Sequence, residues 1–254
     1  MRTNLIKPFI IQAAKKLWER AGGNNSFPCD IERAVQLAFP IILVQLSPLS
    51  IKAIQEWLFT RKYTISIDLS DRLLHGLILF NNGMGVIFIN GTDDIRDKRF
   101  SLAHEVSHFY LEYFLPREKA IKKFGPSIIE VFDGIREPTT HERIKGILLR
   151  TSQFPKAHIL ERRGNGMFDS YYNWSCENNA DALAVELLAP TKEILKKFFK
   201  LQLQRTDYKE SKSIFEVILY NDFLLPSSVA QQYSGRLSYF ITGGNSIVDK
   251  LGLK

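Results

Sequence analysis

Residues Ile95–Phe114, IRDKRFSLAHEVSHFYLEYF, decide how the rest of this chain is read. As a helix over about 96–115, the run sets His104 and His108 one turn apart on one face, with both imidazoles converging on a single point. Two neutral imidazoles at that spacing form half of a tetrahedral zinc site. Glu105 lies beside them, where a carboxylate can take a proton from water activated by the metal. Asp93, Asp94 and Asp97 suit the start of such a helix, and Pro116 is expected to stop it.

With 5 His and 15 Glu in 254 residues, HExxH arises by chance in roughly one chain in two hundred. A surface helix with two solvated histidines is therefore a real competitor, and a metal site needs a third ligand and supporting groups. Both are available in ENNADALAVELLAP, residues 177–190, another helix-like run ended by Pro190. Glu177 and Asp181 are four apart, so one carboxylate can ligate while the other accepts the free N–H of a ligating histidine. Cys176 adjoins Glu177 and is read as a plain free thiol rather than a ligand.

HExxH followed by ExxAD is the arrangement of the gluzincin metallopeptidases. The fuller strings RFSLAHEVSHFYLEY and ENNADALAVELLAP resemble the ImmA/IrrE family of bacterial metallopeptidases, over about Gly83 to Pro190. This chain departs from the family pattern at Leu183, where Phe is usual, and at Val185; neither is a ligand position. The resemblance implies zinc held by His104, His108 and Glu177, with Glu105 as general base and Asp181 orienting one histidine. It also implies an α+β fold. The expected core is zincin-like, with a small antiparallel or mixed sheet, an active-site helix carrying HExxH and a helical C-terminal segment.

Composition sets wider bounds. A 45% hydrophobic, 24% charged chain is ordinary for a soluble globular protein. No run approaches eighteen apolar residues and no signal-peptide pattern opens the sequence, so neither membrane insertion nor secretion is expected. Two cysteines, Cys29 and Cys176, make no disulfide framework and point to the reducing cytoplasm. The net charge of +7 permits nucleic-acid contact but is modest, and the lysines between 192 and 212 suit a solvated helix face.

A peptidase domain is expected over 1–190: N-terminal helices and sheet 1–91, active-site helix 96–115, insertion 116–170 and third-ligand helix 175–190. Helices are expected at 5–21, from Asp30 and at 51–59 under a Ser50 cap, with a strand at 41–46. The stretch 63–91 is β-rich, with a hairpin turn through Asn81-Asn82-Gly83-Met84-Gly85. GVIFIN, residues 85–90, or its hairpin partner is a candidate edge strand for pairing with an extended substrate; an interior strand is the competing assignment. His75 is expected to be structural. In the insertion, Thr139 and Glu142 form a capping box for a helix to about Thr151, and KAHILERR suggests a short strand. The insertion is expected to wall the cleft, and it carries His141 and His158. Candidate oxyanion stabilisers are His158, foremost, then Arg162, Tyr171 and Tyr172. Residues 191–254 form a helical C-terminal region resembling a helix-turn-helix. Gln231, Gln232 and Arg236 are its only candidates for DNA contact, and packing is the favoured role.

The expectation is a zinc endopeptidase making site-specific cuts in a regulatory protein. Members of the resembled family cleave helix-turn-helix transcriptional repressors, which releases stress-response or mobile-element genes. Two other classes compete: a non-catalytic or toxin–antitoxin-associated partner-binding protein, and a DNA-binding regulator. The first of these has no use for a proton shuttle such as Glu105.

Overall fold

The computed structural model describes residues 5–24, 26–63, 67, 70–81, 83–144, 158–159, 171–201 and 207–243. The chain opens with α1 (Pro8–Arg20), whose Pro8 sits in the first turn, where its missing N–H costs nothing. Asp30 caps α2 (Ile31–Ala38) by accepting from the Arg33 N–H at 3.0 Å. After β1 (Ile41–Leu46), Ser50 caps α3 (Ile51–Thr60) through the Ala53 N–H.

The hairpin of β2 (Gly76–Asn81) and β3 (Met84–Asn90) then forms, with β3 in the middle of the sheet. It pairs parallel with β1 and antiparallel with β2, giving a small mixed sheet. GVIFIN is thus an interior strand and not the edge available to a substrate. The alternating run at 63–69 falls largely outside the described residues.

Asp94 caps α4 (Ile95–His108), accepting from Arg96 and Asp97 N–H at 2.7 and 3.0 Å. Pro116 does not stop the helical run. Residues Phe109–Phe114 widen into a π-helical turn, and α5 (Leu115–Phe124) follows with Pro116 in its first turn. The wider register carries the chain past a proline that would clash with the carbonyl four residues back in a continuous α-helix.

The insertion brings α6 (Ile128–Phe132) and α7 (Thr140–Ile144). The capping box forms: Thr139 N–H donates to Glu142 Oε2 at 2.6 Å, and Glu142 N–H to Thr139 Oγ1 at 3.3 Å. The expected continuation to Thr151 lies outside the described residues. A two-residue strand, β4 (His158–Ile159), pairs with β2 at Leu77 and Ile78. Helix α8 (Tyr171–Leu188) starts before the expected position. It is followed by α9 (Thr191–Lys200), α10 (Tyr208–Val217), a second π-helical turn (Ile218–Asp222) and α11 (Ser227–Thr242).

Alternate residues of the hairpin divide the interior in two, as strand geometry requires. Ile78, Phe80, Ile87 and Ile89 face a large cluster that includes Leu17, Val35, Val106, Leu183, Phe215 and Leu237. Leu77, Leu79 and Phe88 face a smaller one built on Leu49, Ile54 and Leu58. The C-terminal helices share the large cluster with α4. Ala230, Tyr233 and Leu237 point inward from α11, while Gln231, Gln232 and Arg236 are exposed. No helix among the described residues is long and apolar enough to cross a membrane.

Candidate metal centre

Every residue of α4 from Phe100 to His108 is buried, polar ones included. One side of the helix meets the sheet and another packs extensively against α8. Ala180 and Ala184, one turn apart and fully buried, keep the α8 backbone close. That approach brings Glu177 to the two histidines from 73 and 69 residues away in sequence.

One ligand atom from each of His104, His108 and Glu177 lies within 4.8 Å of the others, so the group can hold a metal ion. Glu177 Oε2 is 3.3 Å from His104 Nε2 and 3.5 Å from His108 Nε2. The two Nε2 atoms are 2.9 Å apart. Four ligands at 2.0–2.1 Å around a tetrahedral ion stand about 3.3–3.4 Å from one another, so the observed edges bracket that spacing.

The outer nitrogens fix the tautomers. His104 Nδ1 is 2.9 Å from Asp181 Oδ1, and His108 Nδ1 is 2.6 Å from Glu112 Oε1. A carboxylate only accepts, so each Nδ1 carries the proton and each Nε2 presents a lone pair. In the neutral rings, two imidazole lone pairs and a carboxylate oxygen then face one another, a repulsion that only a proton or a metal cation between them removes. A cation relieves that repulsion, and the residues present therefore fit a metal.

Protons compete with a metal for the same lone pairs. Burial, the largest influence, disfavours charge on His104, but hydrogen bonds to Asp181 and Glu177 outweigh it and lift its pKa to about 10. For His108, burial is likewise outweighed by hydrogen bonds to Glu112 and Glu177, and the value rises to about 8. Burial pushes Glu177 up, yet its contacts with the two histidines hold it well below the usual carboxylate range.

Glu105 is different. It is fully buried, and neither carboxylate oxygen has a hydrogen-bond partner among the described residues. Burial pushes its pKa up to about 7, opposed by the neighbouring His104 and His108. A buried carboxylate without partners is costly, and the arrangement makes sense where water and a metal complete its surroundings. Space for it comes from Gly76 at the start of β2. A Cβ there would lie 3.0 Å from Glu105 Oε1 and 3.1 Å from Cγ.

Thus His104, Glu105, His108, Glu177 and Asp181 come together as a group. Cys176 is half-buried and outside the donor set. His75 hydrogen-bonds Asp93 at 2.6 Å, and Asp93 also accepts from Asn90 at 2.7 Å, which fixes the loop entering α4. That is a structural role, as expected. His141 makes an edge contact with Phe124, at 6.0 Å between ring centres. The side chains of His158, Tyr171 and Tyr172, and the whole of Arg162, lie outside the described residues. Two functional positions escaped the sequence reading. Glu112 carried a signal, four residues beyond His108 on the same helix; Gly76 carried none, because nothing in a strand sequence says which carboxylate will lodge against it. Compared with family models, curated proteins and solved structures, this chain finds no match.

Proposed function

We propose that this protein is a zinc-dependent endopeptidase built on a zincin-like core and making limited, site-specific cuts in a regulatory protein. The observation that carries the reading is a buried, unpartnered Glu105 beside three converging donor atoms. Three protein ligands leave a coordination position for water, whereas structural zinc is closed by four, usually with cysteines. A mixed imidazole and carboxylate set suits zinc. The resemblance of RFSLAHEVSHFYLEY and ENNADALAVELLAP to the ImmA/IrrE family supports the same reading and suggests a helix-turn-helix repressor as substrate.

Bound there, zinc supplies Lewis acidity, polarising a peptide carbonyl and lowering the pKa of water toward neutrality. The chain's own residues supply the rest. Glu105 receives the proton of the attacking water on a carboxylate oxygen and returns it to the leaving amine nitrogen. Its burial, which raises its pKa in the metal-free protein, favours proton uptake by this carboxylate. Asp181 and Glu112 hold the two Nδ1–H groups, keeping both Nε2 lone pairs aimed inward. Gly76 lets the Glu105 carboxylate reach its position.

The test is elemental analysis of the purified protein, followed by co-expression with helix-turn-helix regulators encoded beside it. About one zinc per chain is expected, with a discrete cleavage product that disappears on Glu105→Gln substitution. A metal-free wild type, or cleavage unchanged by Glu105→Gln, overturns the proposal.

A further inference from the structure

Residues 108–114 form three overlapping pairs spaced four apart. Phe109 and Tyr113 turn toward the hairpin: Phe109 lies against Gly85, the Tyr113 ring meets Phe80 at a tilt with ring centres 4.5 Å apart, and its hydroxyl accepts from the Gly83 N–H at 2.6 Å. Tyr110 and Phe114 both meet Phe39, at ring-centre distances of 5.2 and 5.1 Å. The remaining pair is His108 and Glu112, which meet at 2.6 Å.

This segment is π-helical, with the Leu115 N–H donating to the Tyr110 carbonyl five residues back. Positions four apart share a face here, as they do on an α-helix. Aromatic packing on two sides locks the register on the third. Glu112 is thereby held in the interior, with its side chain 11% exposed against 56% for Asp181, the partner of the other histidine. A short, buried, charge-assisted hydrogen bond of this kind is of the strong class.

We propose that Glu112 is the dominant positioning residue of the metal centre. By accepting the Nδ1–H inside the protein, Glu112 fixes the His108 tautomer and ring orientation and strengthens Nε2 as a donor. Asp181 does the same for His104 from a solvated position, where water competes for the bond. The inference rests on the metal-site reading above.

Three measurements on the purified full chain test it: zinc affinity by competition with a chelating dye, the absorption spectrum of the cobalt-substituted protein, and thermal unfolding of the metal-free protein. Glu112→Leu removes the acceptor and is expected to weaken zinc binding about 10- to 100-fold. Glu112→Gln keeps one acceptor oxygen and recovers part of that loss. The visible cobalt bands shift in the leucine variant, because the His108 ring is no longer held. The metal-free midpoint is expected to fall for Glu112→Leu, because the buried His108 N–H loses its acceptor, and to fall less for Glu112→Gln, so the glutamine variant separates affinity from stability. If the leucine variant does not fold, the glutamine variant decides on affinity and spectrum alone. Wild-type affinity and an unaltered cobalt spectrum in both variants overturn the inference while leaving the peptidase reading intact. Wild-type affinity and spectrum in Glu112→Gln, beside a loss of affinity in Glu112→Leu that only follows its loss of stability, also overturn it, because Glu112 is then merely structural. A wild type that binds no zinc removes the peptidase reading and this inference together.

Discussion

Helices α4 and α8 furnish the same centre in opposite ways. From Phe100 to His108 no side chain of α4 is exposed, and His104, Glu105 and His108 sit where apolar residues normally would. The carboxylates of α8 stand at the margin, with Glu177 26% and Asp181 56% exposed. Helix α4 is therefore the fixed half, its polar groups held by packing from several sides. Helix α8 is the closing half, positioned chiefly by its alanine-lined contact with α4. If this contrast holds, a change at Glu105 on α4 should act on chemistry with the metal retained, and changes on α8 should act on metal retention.

The largest effect belongs to the fixed half. Glu105→Gln keeps the shape of the side chain and touches no ligand. Zinc content should stay at the wild-type level, while cleavage of a partner regulator falls by about 10²–10⁴, the usual contribution of a positioned general base. Zinc loss in this variant would mean that Glu105 supports the ligands, and would blur the division between the helices. Glu177→Ala is the counterpart on α8. It removes a ligand, so zinc affinity should drop by more than the roughly 10- to 100-fold typical of an outer hydrogen-bonding group. Elemental analysis after dialysis reads this directly, and full retention would assign the third ligand elsewhere.

Gly76→Ala comes next, because it probes the fixed half from the sheet. The added methyl group meets the Glu105 carboxyl at 3.0 Å and must displace it. A shift of about 1 Å in a catalytic group can lower the rate by about 10², so kcat should fall with zinc content unchanged. An unaffected rate would show that Glu105 has slack, contrary to a rigid α4.

The fixed half was also the more legible one. His104, Glu105 and His108 announce themselves by spacing, and the Asp94 cap and burial of α4 follow from local chemistry. The strand at 41–46 and the hairpin hold for a similar reason, since two short apolar runs either side of a turn-forming Asn-Asn-Gly leave few arrangements. Strand order was not legible. GVIFIN is central because β1 joins it in parallel from forty residues earlier, and nothing in the strand itself specifies that neighbour. The π-helical turn was hidden as well. Pro116 looks like a stop until the wider register absorbs it, and Glu112 then becomes a partner of His108. Glu177 and Asp181 were legible as a pair, though their separate roles rest on the tertiary contact with α4.

Asp181→Asn gives the smallest expected change and the sharpest comparison. The bond from His104 Nδ1 to Asp181 is 2.9 Å, longer than the 2.6 Å bond to Glu112, and it lies where solvent competes. Asparagine retains an acceptor oxygen, and a water molecule can reach the imidazole N–H at this exposed position. Zinc affinity should therefore weaken by no more than about 10-fold, the lower end for an outer-sphere partner, and by less than in Glu112→Leu. A loss as large as that of Glu177→Ala would reverse the assignment, making Asp181 the ligand and Glu177 the support. The 3.3 and 3.5 Å approaches of Glu177 to both Nε2 atoms argue against that exchange, because Asp181 faces only the far side of the His104 ring.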